Sequence, residues 1–277
     1  KYKSKTWGKM ILLGLSTMGS SAACIFVNDK LIAAVEEERI TRLKNDGAFP
    51  IESIKECLRI ANVTIAQVDA ICVYWKPFRV KTRFLKTIGK AMHSKSSFDS
   101  LLKVVTRHFG KSNQEVDTVS PEENGKWGDL FKLGKIIDSQ IGKFSGEIKF
   151  FDHHLTHQLY GEIMRDWDES ILLSYDGGGE EYSTVLAVSK GSVIKPIKQI
   201  KWPNSLGHYY SFFTGYLGFK MQEGEYKMMG LAPYGKPVYK DLILQNVLKL
   251  LPNGDYDFDY NLCDYHGALN GQFDKSL

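Results

Sequence analysis

A chain of 277 residues with 43% hydrophobic and 25% charged residues can bury one large core or the cores of two lobes. Its 36 Lys and Arg nearly balance 32 Asp and Glu, and the two signs are interleaved, so the net charge of +4 argues against a nucleic-acid-binding face. No apolar run approaches a membrane span, no signal-peptide pattern opens the chain, and Cys24, Cys57, Cys72 and Cys263 are scattered, as expected for reduced thiols of a cytoplasmic protein.

Met10–Ser16 is a predicted apolar strand running into a bend of small residues, Ser16-Thr17-Met18-Gly19-Ser20-Ser21. Ala22–Val27 is a second strand, Asn28-Asp29 a tight hairpin turn, and Leu31–Glu36 a third strand. The charged run around Glu36-Glu37-Glu38-Arg39 reads by default as a solvated strand end. Pro50 opens a helix over Ile51–Ala61, whose apolar positions Ile51, Ile54, Cys57, Leu58 and Ala61 share one face. Val68–Trp75 is a buried-type strand, and residues 80–144 form a helical, variable insert. A basic strip at the start of that insert, Lys76 to Lys103, reads as a solvated helix face or a dock for an anionic partner.

Glu147–Phe151 is a short strand delivering the chain to Asp152-His153-His154-Leu155-Thr156-His157. If this stretch is helical, His153 and His157 lie one turn apart on one face, which suits two imidazoles on one metal ion. A strand over Ser170–Tyr175 then meets Asp176-Gly177-Gly178-Gly179-Glu180, a bend whose backbone N–H groups can approach an anion closely. Strands over Tyr182–Ser189 and Ser192–Trp202 follow, joined by Lys190-Gly191. Twice, therefore, a strand enters a bend of small residues and returns through a hairpin meander, an internal repetition of topology. It predicts an α/β protein of the actin and sugar-kinase (RNase H-like) class with two duplicated lobes. The first spans 1–167 and carries the insert; the second spans 168–277 and is incomplete.

Beyond the meander come Trp202-Pro203-Asn204-Ser205-Leu206-Gly207-His208 and Glu223-Gly224-Glu225-Tyr226-Lys227-Met228-Met229-Gly230-Leu231-Ala232-Pro233-Tyr234-Gly235. With Glu36–Arg39 and the histidine motif, these blocks resemble the NodU/CmcH carbamoyltransferase family over residues 10–236. The resemblance implies O-carbamoylation of a hydroxyl on a natural product or saccharide. The donor would be a carbamoyl-adenylate made from carbamoyl phosphate and ATP, by a YrdC-like domain expected C-terminal to this chain. The transfer domain is similar to the threonylcarbamoyl-transfer proteins that modify tRNA.

Carried over by position, His153 and His157 match the family's metal ligands, with iron the implied divalent metal. The family's third ligand, an aspartate, lies beyond Leu277. Asp176, Gly177 and Gly178 match the loop contacting the adenylate's phosphate and carbamoyl group, Asp176 with a catalytic part. Glu225 and Lys227 match the segment beside the nucleotide, and Ser16 and Gly179, in the two small-residue bends, are further candidate cofactor contacts. Asp176 is expected to orient a histidine or meet the metal through water. The family's His-Asp pair after the first strand is missing, since this chain reads Ser16-Thr17-Met18-Gly19-Ser20-Ser21 there. That leaves His154 and His208 as imidazoles beside the motifs that could take the acceptor proton, while His154, pointing off the shared face, also suits a structural part. A sugar-kinase-like phosphotransferase and a non-catalytic nucleotide-binding relative are the alternatives.

Overall fold

The computed structural model describes residues 9–17, 19–80, 127–191, 193–221 and 223–259, forming a mixed α/β fold whose described residues fall into two compact units, the first holding those up to Pro77 and from Trp127 to Phe151, the second Phe78–Val80 and those from Asp152 on. Much of the predicted insert (81–126) and Cys263 lie outside the described residues. Among the described residues no helix is long and apolar enough to cross a membrane.

The first unit is a five-stranded sheet in the order β3-β2-β1-β4-β5. Strands β1 (Ile11–Ser16), β2 (Ala22–Val27) and β3 (Lys30–Glu36) form an antiparallel meander. β4 (Ala70–Val73) and β5 (Glu147–Phe150) add to the other edge of β1 in parallel. Alternation along β1 places Ile11, Leu13 and Leu15 on the buried face, where Leu13 is flanked in register by Ile25 and Ile71. Helix α2 (Ile51–Ala61) covers that face with Ile54, Cys57 and Leu58, at the i, i+3, i+4 spacing of an amphipathic helix. Burying Ile54 and Leu58 contributes about 2 kcal/mol each. Asn62, in the left-handed region at φ 52°, ends the helix by donating its N–H to the Leu58 and Arg59 carbonyls. Helices α3 (Trp127–Phe131) and α4 (Leu133–Gln140) add Leu130, Leu133 and Ile137 to the same core.

Two sequence readings are revised here. The strand expected over Val68–Trp75 pairs only at Ala70–Val73, because Thr64 and Gln67 cap a 3-10 turn at Ile65–Gln67 that uses the Val68 N–H. The charged run after β3 is not simply solvated. It forms a short helix α1 (Glu37–Thr41) in which Glu37 is 3% exposed and its carboxylate accepts from Glu52 N–H, Ser53 N–H and Ser53 Oγ at the start of α2.

The second unit is built on a three-stranded antiparallel meander, β6 (Glu169–Tyr175), β7 (Tyr182–Lys190) and β8 (Val193–Lys201). Helix α5 (His153–Ile163) lies on one face of this meander, where Gln158 Nε2 donates to Ser174 Oγ and the Val185 carbonyl. So the histidine helix packs with strands that follow it, although the sequence reading groups residues up to 167 with the first lobe. Helices α6 (Leu206–Tyr216), α7 (Glu225–Leu231) and α8 (Lys240–Asn246) and a small hairpin, β9 (Leu248–Leu250) and β10 (Tyr256–Phe258), complete the described part. Phe212, Val247, Ile200, Leu248, Tyr256 and Phe258 form its apolar packing.

Candidate metal centre

Helix α5 starts where the sequence makes it start. Asp152 is extended (φ −68°, ψ 134°), and its Oδ1 accepts the Leu155 N–H at 3.2 Å, satisfying one of the open donors of the first turn. One turn of helix then brings His153 and His157 together, their rings edge to face at 4.6 Å and their Nε2 atoms 3.1 Å apart. The bend between β6 and β7 delivers the third group: Asp176 Oδ2 lies 2.5 Å from His153 Nε2 and 3.5 Å from His157 Nε2.

The bend is closed by two backbone hydrogen bonds, Asp176 N–H to the Ser183 carbonyl and Gly179 N–H to the Tyr182 carbonyl. Gly178 has φ +144°, a conformation side chains resist. Helix α6 is docked directly on this bend. Ser205 caps it by accepting the His208 N–H at 3.0 Å, and the same hydroxyl donates to the Asp176 carbonyl at 2.7 Å. A Cβ on Gly207 would sit 2.5 Å from the Asp176 carbonyl carbon, so only glycine permits this approach.

Electrostatics follow from the geometry. Burial works against charge on Asp176, but hydrogen bonds from His153 and His157, with the nearby imidazoles, hold its carboxyl well below the usual carboxylate range. Asp176 is therefore a carboxylate facing the Nε2 atoms of two imidazoles. Asp176 Oδ1 is buried without a hydrogen bond among the described residues, while Oδ2 faces both imidazoles. A cation between them would be approached by all three ligand atoms, which lie within 4.8 Å of one another. Metal bonds of about 2.1 Å set ligand atoms roughly 3.0–3.4 Å apart, close to the 3.1 Å and 3.5 Å separations that involve His157. His157 is 54% exposed and His153 11%, so the group opens to solvent on the His157 side. The 2.5 Å between His153 Nε2 and Asp176 Oδ2 would have to widen around an ion, and the three ligand atoms together suit a divalent cation.

His154 has a structural part. It is 2% exposed; its Nε2 donates to the Tyr182 carbonyl at 2.9 Å and its Nδ1 meets Ser174 Oγ at 3.0 Å. With both nitrogens engaged and the ring sealed in, it is not placed to take a substrate proton, which corrects the catalytic reading. Burial, ahead of the opposing Asp176 charge, depresses its pKa below 6.5. A depressed folded-state pKa means stability that is complete above the ordinary histidine value and lost as pH falls below it toward the folded one. The melting temperature should therefore drop between pH 7.5 and 5.5, and the drop should shrink in His154→Gln; equal drops in both proteins would refute this.

Of the other residues picked out in the sequence, Gly177 lies against His208, whose Cε1 would be 3.1 Å from a Cβ there. Glu225 opens α7 and accepts from Ser211 Oγ of α6 at 2.6 Å, so it is linked to the Asp176 bend through α6. Lys227 Nζ lies 5.9 Å from the centroid of the Tyr226 ring. Ser16 ends β1 in the first unit, its hydroxyl directed at the Ser20 carbonyl. Sequence reasoning missed two residues: Ser205, although Ser before Leu206-Gly207-His208 is an N-cap signal, and Glu180, whose carboxylate meets the His153 N–H.

This chain is similar to curated proteins over most of its length. The uncharacterized protein sll1178 of Synechocystis is 35% identical over 260 residues, 93% of this chain and 40% of that protein. The nodulation protein NolNO of Sinorhizobium fredii is 32% identical over 242 residues, 86% of this chain and 31% of that protein. The chain thus spans 40% or less of the length of these relatives. Among solved structures, YeaZ from Pseudomonas aeruginosa overlays 70% of this chain and 68% of its own, but at 8% identity and a TM-score of 0.34 the likeness is too loose to carry a fold comparison. The family described as carbamoyltransferase N-terminus matches residues 11–272, nearly the whole chain, and to that family this chain belongs.

Proposed function

We propose that this chain is the transfer module of an O-carbamoyltransferase, moving a carbamoyl group from carbamoyl-adenylate to a hydroxyl of a natural product or saccharide. The observation that carries the reading is the meeting of His153, His157 and Asp176 beside a glycine bend. The family supports carbamoyl transfer in general; the adenylate donor, the metal and the acceptor class are the proposal's own.

In the transfer, the acceptor oxygen attacks the carbamoyl carbon, the bond from that carbon to the phosphate oxygen breaks, AMP leaves and the hydroxyl proton is lost. A bound divalent ion, iron in this reading, would supply Lewis acidity toward the carbamoyl oxygen or the departing phosphate. His153, His157 and Asp176 would hold it. The backbone N–H groups at Gly177–Gly179 suit an anionic oxygen because they need no charged side chain to approach it. Glu225 and Lys227 would lie along the nucleotide. In this reading the acceptor's proton goes to His208, packed on Gly177, rather than to the buried His154 with both ring nitrogens engaged. An actin-like pair of lobes and a YrdC-like partner domain making the adenylate belong to the same proposal, supported by the meander in each unit and by the greater length of the relatives.

The test is a label-transfer assay on the full-length protein that contains this chain. Carbon-labelled carbamoyl phosphate, ATP and a panel of saccharide and polyketide alcohols should yield a labelled carbamate ester and AMP. Label from the γ-phosphate of ATP appearing on the alcohol would instead establish a kinase and overturn the reading.

A further inference from the structure

We infer that Glu180 is a positioning residue for the metal centre, fixing the start of α5 so that His153 and His157 stand at the right distance from Asp176. The inference rests on the metal-centre reading above. It begins from burial: Glu180 is 2% exposed, and a carboxylate removed from water that far is costly unless it is hydrogen-bonded. Its two oxygens lie 3.2 and 3.3 Å from the His153 N–H, the first N–H of α5, although the two residues are 27 positions apart. There a negative charge also meets the positive end of the helix dipole.

This is a different task from the one Asp152 performs. Asp152 satisfies the Leu155 N–H from within the helix's own approach, as any N-cap does. Glu180 reaches the His153 N–H from the bend that carries Asp176. His153 is therefore held twice by one five-residue loop: its main chain by the Glu180 carboxylate and its ring by the Asp176 carboxylate. Between those two anchors, Gly179 lies against the same residue, with a notional Cβ 3.2 Å from the His153 Cβ. His157 follows one turn along the same helix, so its distance from Asp176 is set by where the helix begins and how it is rotated. Metal ligands tolerate displacements of only about 0.2 Å. A loop that fixes both the axial position of α5 and the third donor sets all three distances at once.

The experiment is a titration of the 277-residue chain with Co²⁺, followed by its visible absorption, in wild type, Glu180→Gln and Glu180→Ala. Deuterium exchange at the His153 amide is measured in the metal-free proteins, and circular dichroism checks folding. Gln keeps the size and one acceptor oxygen but loses the charge; Ala loses the contact. The expected result is about tenfold weaker Co²⁺ binding for Glu180→Gln and up to about a hundredfold for Glu180→Ala, the range for loss of a partner that orients a ligand. The cobalt spectrum should change and the His153 amide should exchange faster in the same order. Faster exchange with unchanged Co²⁺ affinity and spectrum would make Glu180 a helix cap only and overturn the inference, leaving the metal centre standing. Failure of the wild type to bind Co²⁺ would remove the metal-centre reading and the inference with it. Should Glu180→Ala not fold, Glu180→Gln decides alone.

Discussion

Asp176→Asn is expected to weaken divalent-cation binding by at least about a hundredfold and to reduce carbamoyl transfer by the full-length protein below detection. Loss of a group that merely orients a ligand costs about 10- to 100-fold in affinity, and in the proposed centre Asp176 would supply a donor atom as well as orient His153. Asparagine keeps the shape but not the charge, so two neutral imidazoles and an amide would face a doubly charged ion. Titration with Co²⁺ or Fe²⁺, with circular dichroism as the folding control, checks the first effect. Binding within threefold of wild type would remove Asp176 from the ligand set. The same variant reports on stability. Because the folded carboxyl titrates below its ordinary value of 3.8, its contribution is complete above that value and is lost as pH falls toward the lower folded one. The stability difference between wild type and Asp176→Asn should therefore shrink below about pH 4.

Much of this site is local and was legible for that reason. The spacing of His153 and His157 and the bounds of the flanking strands depend on residues within a turn or a pleat of each other. Glycines at 177–179 advertise a bend whatever the tertiary fold. What escaped is long-range. Nothing near Glu180 says that its carboxylate meets an N–H 27 residues earlier, and nothing near Glu37 says which of three consecutive glutamates turns inward. His154 was ambiguous because a histidine off the ligand face is free for chemistry until Ser174 and the Tyr182 carbonyl, 20 and 28 residues later, take both nitrogens. Asp176 was expected at the site, orienting a histidine or meeting the metal through water, but not as a direct ligand, since the resemblance placed the third ligand beyond Leu277. The structure sets its carboxylate directly against His153.

Glu37→Ala should cost the first unit about 3 kcal/mol, although the sequence presents Glu37 as a surface residue. Its carboxylate takes the Glu52 N–H at 2.9 Å, the Ser53 N–H at 2.7 Å and the Ser53 hydroxyl at 2.6 Å. Pro50 at the N-cap has no side-chain acceptor to offer, so this distant carboxylate caps α2 in its place. Hydrogen bonds to a charged acceptor are worth about 1.5–3 kcal/mol each, but three on one group are not additive. The cost comes mainly from stranding buried donors, since Ser53 is fully buried and water cannot easily replace the carboxylate. Helix α2 is also the layer that covers Leu13, Ile25 and Ile71, so loosening its first turn exposes the centre of the sheet. Glu37→Gln should recover only part of the loss, because its amide nitrogen would confront donors rather than accept from them. Urea unfolding, with deuterium exchange resolved over residues 51–61, measures both effects. A loss under 1 kcal/mol with unchanged exchange in that segment would mean that α2 is held by its apolar face alone.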